Sequence, residues 1–353
     1  HVVSNHTSVN LPLDILKNTS FHSRSPVRVS FCGGGSDTTT YFENNSGAVM
    51  NATLSIYTHA SLIKRTDSKI TFQSGDLDDR FKIKSIKDIE KVPQKFELIK
   101  SIIKLVDPNF GFDLLSYSDY PMKSGLGGSA VVLSSIIGCF NEAMQNKWDK
   151  FEVAELAFQA ERLSMGVHGG WQDQYATTVG GFNLMEFKYG ENTIHPVRIP
   201  TEAIRILENS LVLCSTDMSH ESGQIHKDQK NSTSDKSVME NIKRNVALCY
   251  ELRESFVRGN VSVLGKIMHE AWSLKKTYSS GISNEKLDDI YNLAINNGAD
   301  GGKLLGAGGG GYFLFFVPFN KRIDLMAALS SKNLFVQPFK FDEKGLVSWQ
   351  QSI

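Results

Sequence analysis

The strongest constraint on the fold is the stretch Pro121-Met122-Lys123-Ser124-Gly125-Leu126-Gly127-Gly128-Ser129-Ala130, which runs directly into an apolar segment from Val131 to Met144. It reads as a glycine-rich loop feeding a helix. Gly125, Gly127 and Gly128 let the backbone approach an anion closely, and the unpaired N–H groups at the start of the following helix point to the same place. A tight strand-to-helix turn with no ligand would use the same glycines, so the loop alone leaves both readings open. Spacing excludes several familiar patterns. A P-loop needs Lys and then Ser or Thr after its last glycine, whereas Ser129 and Ala130 follow Gly128. The dinucleotide and protein-kinase fingerprints need a glycine where Ala130 stands, and the nucleophile elbow needs one at Val131.

At 353 residues the chain is longer than one hydrophobic core usually organises, which predicts two domains, 1–205 and 206–353. Lys plus Arg and Asp plus Glu number 38 each, so no global basic field is available for nucleic acid or an anionic membrane. The expected partners are small molecules, with any anionic group met by local basic residues. Cys32, Cys139, Cys214 and Cys249 show neither metal-ligand spacing nor the density of a disulfide scaffold, which points to free thiols in a reducing compartment. His1 to Ser20 lacks a basic start followed by an apolar run, and no stretch approaches the length of a membrane span. The expectation is a cytoplasmic protein. No pattern specifies an oligomeric state.

Along the chain, Val27-Arg28-Val29-Ser30-Phe31-Cys32 alternates as a strand with Val27, Val29 and Phe31 toward the core and Arg28 on the opposite face. It ends in Gly33-Gly34-Gly35-Ser36-Asp37, a loop that can bend sharply beside a ligand. Strands are expected over 51–64, 69–73, 112–117, 182–187, 211–214, 312–317, 334–341 and 346–349, with helices over 96–106, 130–144, 151–165, 238–256, 263–272, 287–295 and 323–329. Mixed strands and helices with hairpins give an α+β class for both halves. On the helix from 151, Glu161 ends a partly apolar stripe with no basic residue at 157 or 165, so its carboxylate needs a partner from elsewhere. Gly169 and Gly170 precede a short helix whose first turn holds Asp173, where the helix dipole favours the ionised form.

Three stretches together, Arg24-Ser25-Pro26-Val27-Arg28-Val29-Ser30-Phe31-Cys32-Gly33-Gly34-Gly35-Ser36-Asp37, the loop 121–130, and Lys303-Leu304-Leu305-Gly306-Ala307-Gly308-Gly309-Gly310-Gly311, resemble the three ordered motifs of the GHMP small-molecule kinases. The resemblance covers most of residues 22–345, and the triple glycine followed by Ser-Asp is most similar to the sugar branch that phosphorylates an anomeric hydroxyl. It implies an N-terminal domain with a left-handed βαβ crossover, a ferredoxin-like C-terminal domain, and ATP in the groove between them. The acceptor it implies is a sugar phosphate.

The resemblance also assigns roles. Lys123, Ser124, Gly125, Leu126, Gly127, Gly128 and Ser129 would cradle the ATP phosphates. Ser129 and Glu161 would hold Mg²⁺, a hard cation suited to one carboxylate, one hydroxyl and phosphate oxygens. Asp173 would orient the acceptor hydroxyl and take its proton, and Arg28 would steady the charge that develops during transfer. Arg24, Gly34, Gly35, Ser36, Asp37, His168, Gln172, Gly308 and Gly309 would meet the substrate, Arg24 through a phosphate. The fragment Thr216 to Gln224 would face the cleft, with the polar run after it as a lid. Two departures stand out: Gly128 replaces a common serine, and Lys123 occupies a position often held by a small residue, where it either reaches a phosphate or is solvated.

Overall fold

The computed structural model describes residues 19–145, 148–166, 169–218 and 235–353. His168, most of Thr216–Gln224 and most of the polar run after it lie outside the described residues. In chain order the strands are β1 (Thr19–Cys32), β2 (Gly47–Lys64), β3 (Ile70–Ser74), β4 (Asp79–Ile83), β5 (Phe112–Ser118), β6 (Phe182–Lys188), β7 (Glu191–Pro196), β8 (Leu211–Ser215), β9 (Gly301–Leu304), β10 (Tyr312–Phe316), β11 (Val336–Gln337), β12 (Phe341–Asp342) and β13 (Val347–Ser352). The main helices are α1 (Glu97–Val106), α2 (Gly128–Met144), α3 (Lys150–Met165), α4 (Gln172–Val179), α5 (Thr201–Ser210), α6 (Lys236–Val257), α7 (Leu264–Lys275), α8 (Glu285–Asn296) and α9 (Arg322–Ser331).

Two sheets result. The larger has nine strands, with the path β13-β1-β2-β5-β3-β4 and with β6, β7 and β12 attached through β2. Its strands pair antiparallel except β3 with β5, whose parallel register needs a crossover, made here through β4 and α1. The smaller sheet has the order β11-β8-β10-β9, all antiparallel. With helices between β8 and β9 and between β10 and β11, this is the βαββαβ ferredoxin-like arrangement.

Three apolar clusters hold the layers together. One, with Phe72, Ile102, Phe112, Leu133 and Phe140, packs α1, α2 and α3 on one side of the large sheet. The apolar circumference of α2 is the reason: eleven of its residues are buried. A second cluster joins Val27, Val29 and Phe31 of β1 to Leu211, Leu213, Phe256, Met268 and Leu314, so the two halves share a core. The third places Trp272, Tyr291, Phe313 and Phe315 between the small sheet and its helices.

The chain after residue 340 returns to the large sheet. β12 pairs with β2, and β13 pairs with β1 from Thr19↔Ser352 to Arg24↔Val347. Within the segment 206–353, these residues therefore add strands to the N-terminal sheet. Asp342 fixes the return. Its carboxylate accepts from Tyr57 Oη at 2.7 Å and from the Gly345 and Lys344 amides at 2.7 and 3.0 Å. The Leu346 amide then donates to the Thr178 carbonyl at 3.1 Å, bracing the last turn of α4. Asp342→Ala leaves three buried or half-buried donors without this acceptor and should cost about 2–3 kcal/mol of stability, read as a lowered denaturant midpoint with unchanged slope.

Candidate active site

The site is built where β1 changes register against β2, between Pro26 and Arg28. Below that shift Arg24 lies with its guanidinium 4.2 Å from the Tyr57 ring centroid. Above it Arg28 turns inward and is only 4% exposed. Its Nε donates to Asp173 Oδ1 at 2.6 Å and its Nη1 donates to the Gly125 carbonyl at 2.9 Å. The Arg28 amide donates to the Leu126 carbonyl at 3.1 Å. One residue thus ties the glycine loop to the first turn of α4. Thr177, on the same helix, donates its hydroxyl to the Pro26 carbonyl at 2.7 Å and fixes the helix against β1.

Lys123, Ser124, Gly125, Gly127, Gly128 and Ser129 line a cavity of about 500 Å³. α2 begins beside them with no side-chain cap and no acidic residue in its first turn, which leaves its amides for an anion. Gly125 has φ +77°, and a Cβ there would lie 2.3 Å from the Leu305 carbonyl oxygen. Only glycine lets the phosphate-type loop rest directly on the second glycine-rich loop. The Tyr312 amide donates to the Ser124 carbonyl at 3.0 Å and closes this junction.

Glu161, on α3, finds the partners its helix lacks. Its Oε2 accepts from Ser129 Oγ at 2.9 Å and from Gln174 Nε2 at 3.0 Å, while Arg162 Nη1 lies 3.4 Å from Oε1. Burial pushes the Glu161 carboxyl up from its ordinary range, against these partners. Across the cleft, Asp37 is 4% exposed and accepts from the Gly35 amide at 3.2 Å and the Gln172 amide at 3.3 Å. Residue 170 must be glycine at this approach, because a Cβ there would lie 1.9 Å from Asp37 Oδ2. Burial, and then the Asp173 charge, raise the Asp37 carboxyl.

Gly34, Gly35, Asp37, Gln172 and Asp173 line the cavity with Arg28, Ser129 and Glu161. Five expected contacts do not. Arg24 is held over Tyr57 on the other side of the register shift. The Ser36 hydroxyl lies 2.7 and 2.9 Å from the Gly33 and Ala48 carbonyls and accepts from the Ala48 amide at 3.0 Å, so the loop itself uses it. Leu126 points into the shared core. Gly308 and Gly309 pack on Ile282, and the second glycine loop reaches the cavity through Gly306 and Ala307.

Sequence reasoning missed the apolar end of the cavity, where Phe72, Leu98, Ile99 and Val132 offer a flat-ring pocket. They come from elements far apart in sequence, and no local pattern groups them. It also missed Lys275 and Lys303, which line the cavity and are 6% and 2% exposed. Lys303 did carry a signal, a lone charge between Gly302 and the apolar Leu304 and Leu305. Lys275, in a helix's last turn before Lys276, looks like any solvated lysine. Desolvation depresses both ammonium groups, Lys275 well below its ordinary value and Lys303 to about 8.

A cleft between two α+β halves, lined by an uncapped helix start and a carboxylate held by arginine, is the arrangement of a small-molecule phosphotransferase. Known proteins agree. Residues 97–181 match the GHMP kinases N terminal domain and residues 252–333 match the GHMP kinases C terminal region. The D-glycero-alpha-D-manno-heptose 7-phosphate kinase of Campylobacter jejuni is 36% identical over 94% of this chain and 99% of its own length. The crystal structure of a D-glycero-D-manno-heptose 1-phosphate kinase from Bacteroides thetaiotaomicron has a TM-score of 0.77 at 26% identity, covering 93% of this chain and 98% of that one. The mevalonate kinase of Methanococcus jannaschii shares the fold, with a TM-score of 0.72 at 19% identity over 91% of this chain and 98% of its own. The chain belongs to the GHMP kinase family. No helix among the described residues is long and apolar enough to cross a membrane.

The buried Lys303 makes stability depend on pH in a defined direction. Its folded-state value is about 8 against 10.5 for a free lysine, so above pH 8 the unfolded chain holds more protons and folding gains as pH rises through that region. Melting temperatures of the native protein and of Lys303→Met, compared on both sides of pH 8, should diverge most below it, with the variant the more stable there. A pH-independent difference would contradict the depressed value.

Proposed function

We propose that the protein is an ATP- and Mg²⁺-dependent kinase that phosphorylates the anomeric C1 hydroxyl of D-glycero-D-manno-heptose 7-phosphate, feeding nucleotide-activated heptose synthesis in the cytoplasm. The observation that carries this reading is the Arg28 guanidinium shared between Asp173 and the Gly125 carbonyl, which sets a carboxylate at the junction of the phosphate-binding loop and the Gly34–Asp37 loop. The likeness to the Campylobacter and Bacteroides proteins, both named as heptose phosphate kinases, supports the acceptor class.

In this mechanism the amides at the start of α2 and the loop backbone take the nucleotide phosphates, and the apolar wall of Phe72, Leu98 and Ile99 takes the base. Asp173 accepts a hydrogen bond from the acceptor hydroxyl and receives its proton as the bond to phosphorus forms. Arg28 keeps that carboxylate aimed and offers its remaining donors to the charge on the transferred group. Asp37 and the polar edge of Gln172 orient sugar hydroxyls.

The donor set at Ser129 and Glu161 fits Mg²⁺: a hydroxyl 2.9 Å from a buried carboxylate that burial alone destabilises, with phosphate oxygens to complete the shell. When bound there, Mg²⁺ would screen the β- and γ-phosphates.

Incubation with ATP and a panel of heptose 7-phosphate, fucose and galactose, following ADP release, tests the acceptor, and phosphorus NMR identifies the phosphorylated carbon. Free hexoses outcompeting the heptose phosphate would overturn the assignment. Asp173→Asn should lower kcat by about a hundredfold to ten-thousandfold while the ATP dissociation constant stays within about twofold. Glu161→Gln should raise the Mg²⁺ concentration for half-maximal rate by about tenfold or more, with a lowered melting temperature because the largely buried Arg162 side chain loses its carboxylate.

A further inference from the structure

Lys275 and Lys303 form a pair of buried cations that the mechanism above does not use. They reach the cavity from different elements, the end of α7 and the strand β9. The bonds they make go to backbone carbonyls: Lys275 Nζ donates to Gly306, and Lys303 Nζ donates to Ser30 at 2.8 Å. Each ammonium has three protons to give, so donors remain on both. Among the described residues no carboxylate lies within ion-pair distance of either lysine. The acids that act on Lys275 at longer range are Asp37 and Asp173, and Asp173 is already paired with Arg28. Arg28 and the second lysine repel it. A buried cluster of this kind is short of negative charge, and a polyanionic ligand would supply it.

The position of the pair distinguishes which anion. Nucleotide phosphates belong at the start of α2, beside Ser129 and Glu161. Lys303 is hooked to Ser30 on the strand that feeds the Gly34–Asp37 loop, and both lysines feel Asp37. Lys303 is thus held against the strand that leads to the Gly34–Asp37 loop, and Lys275 is held on the second glycine loop.

We propose that Lys275 and Lys303 form the subsite for the phosphate that the acceptor sugar already carries, and that this subsite selects a sugar phosphate over the free sugar. The proposal rests on the sugar-phosphate reading given above. A phosphate dianion beside Lys303, whose ammonium is depressed to about 8, would also favour its protonated form, so acceptor binding should take up protons from solution above pH 8.

The test compares kcat/KM for heptose 7-phosphate and for unphosphorylated heptose in the native enzyme, Lys275→Met, Lys303→Met and the charge-retaining Lys275→Arg. Each methionine variant should lose about tenfold to a hundredfold on the phosphorylated acceptor, mainly through KM, and far less on the free sugar. Lys275→Arg should recover part of the loss. Inorganic phosphate, competing with the sugar phosphate in the native enzyme, should lose potency in both methionine variants. Equal losses on the two acceptors, carried by kcat, would assign the lysines to the transferred phosphoryl group and overturn the proposal. So would an unchanged preference in a folded Lys275→Met, which decides the matter if Lys303→Met fails to fold. Native enzyme that prefers the free sugar would instead overturn the sugar-phosphate reading itself, a result distinct from either.

Discussion

The contact on which the site depends is the 2.6 Å bond from Arg28 Nε to Asp173 Oδ1. Arg28 is buried, so its charge needs a carboxylate, and Asp173 is the residue that meets it. Removing either partner would strand the other. The same guanidinium holds the Gly125 carbonyl, which makes the glycine loop, β1 and α4 one mechanical unit. The β1–β2 pairing shifts register between Pro26 and Arg28, with Arg24 over Tyr57 on one side of the shift and the buried Arg28 on the other.

The two halves are not independent platforms. Val27, Val29 and Phe31 share an apolar cluster with strands and helices of the second half. Ser124 accepts from Tyr312, Gly125 rests on Leu305, and Lys303 reaches across to Ser30. A reacting pair split between the halves would therefore be held at a fixed separation, as phosphoryl transfer requires, since positioning supplies much of its acceleration.

Much of this was legible in the sequence, and the remainder was hidden for physical reasons. The helix from the glycine loop, the inward face of β1 after residue 26 and the placing of Asp173 in a first turn follow from apolar period and glycine spacing. The first part of β1 did not show itself, because its inward positions are serines: Ser25 and Ser134 meet at 2.9 Å where α2 presses on the sheet, and small polar residues leave no hydropathy signal. β4, β7 and α5 were missed as short, charged segments. β9 was read as loop since Gly301 and Gly302 show no alternation. Within the site, Glu161 was rightly expected to need distant partners, but its i+1 neighbour Arg162 was not considered. That side chain folds back over Phe158, 3.7 Å from the ring centroid, and so reaches a carboxylate it would not otherwise face.

Three of the acids that line the cleft, Glu161, Asp37 and Asp173, show why charge placement matters more here than charge count. Glu161 and Asp37 are both pushed up by burial, so each gains from a cation or a donor brought by a ligand. Asp173 differs from them in having a guanidinium at 2.6 Å and keeping 29% exposure of its side chain. That combination leaves a carboxylate that is aimed by the guanidinium and open to the cavity. Three of the cations that line it differ in the same way: Arg28 is paired with a carboxylate, whereas Lys275 and Lys303 bond to carbonyls. A chain with zero formal charge can thus keep two buried lysines in its cleft with, among the described residues, no carboxylate at ion-pair distance, while Arg28 and Asp173 meet at 2.6 Å beside them.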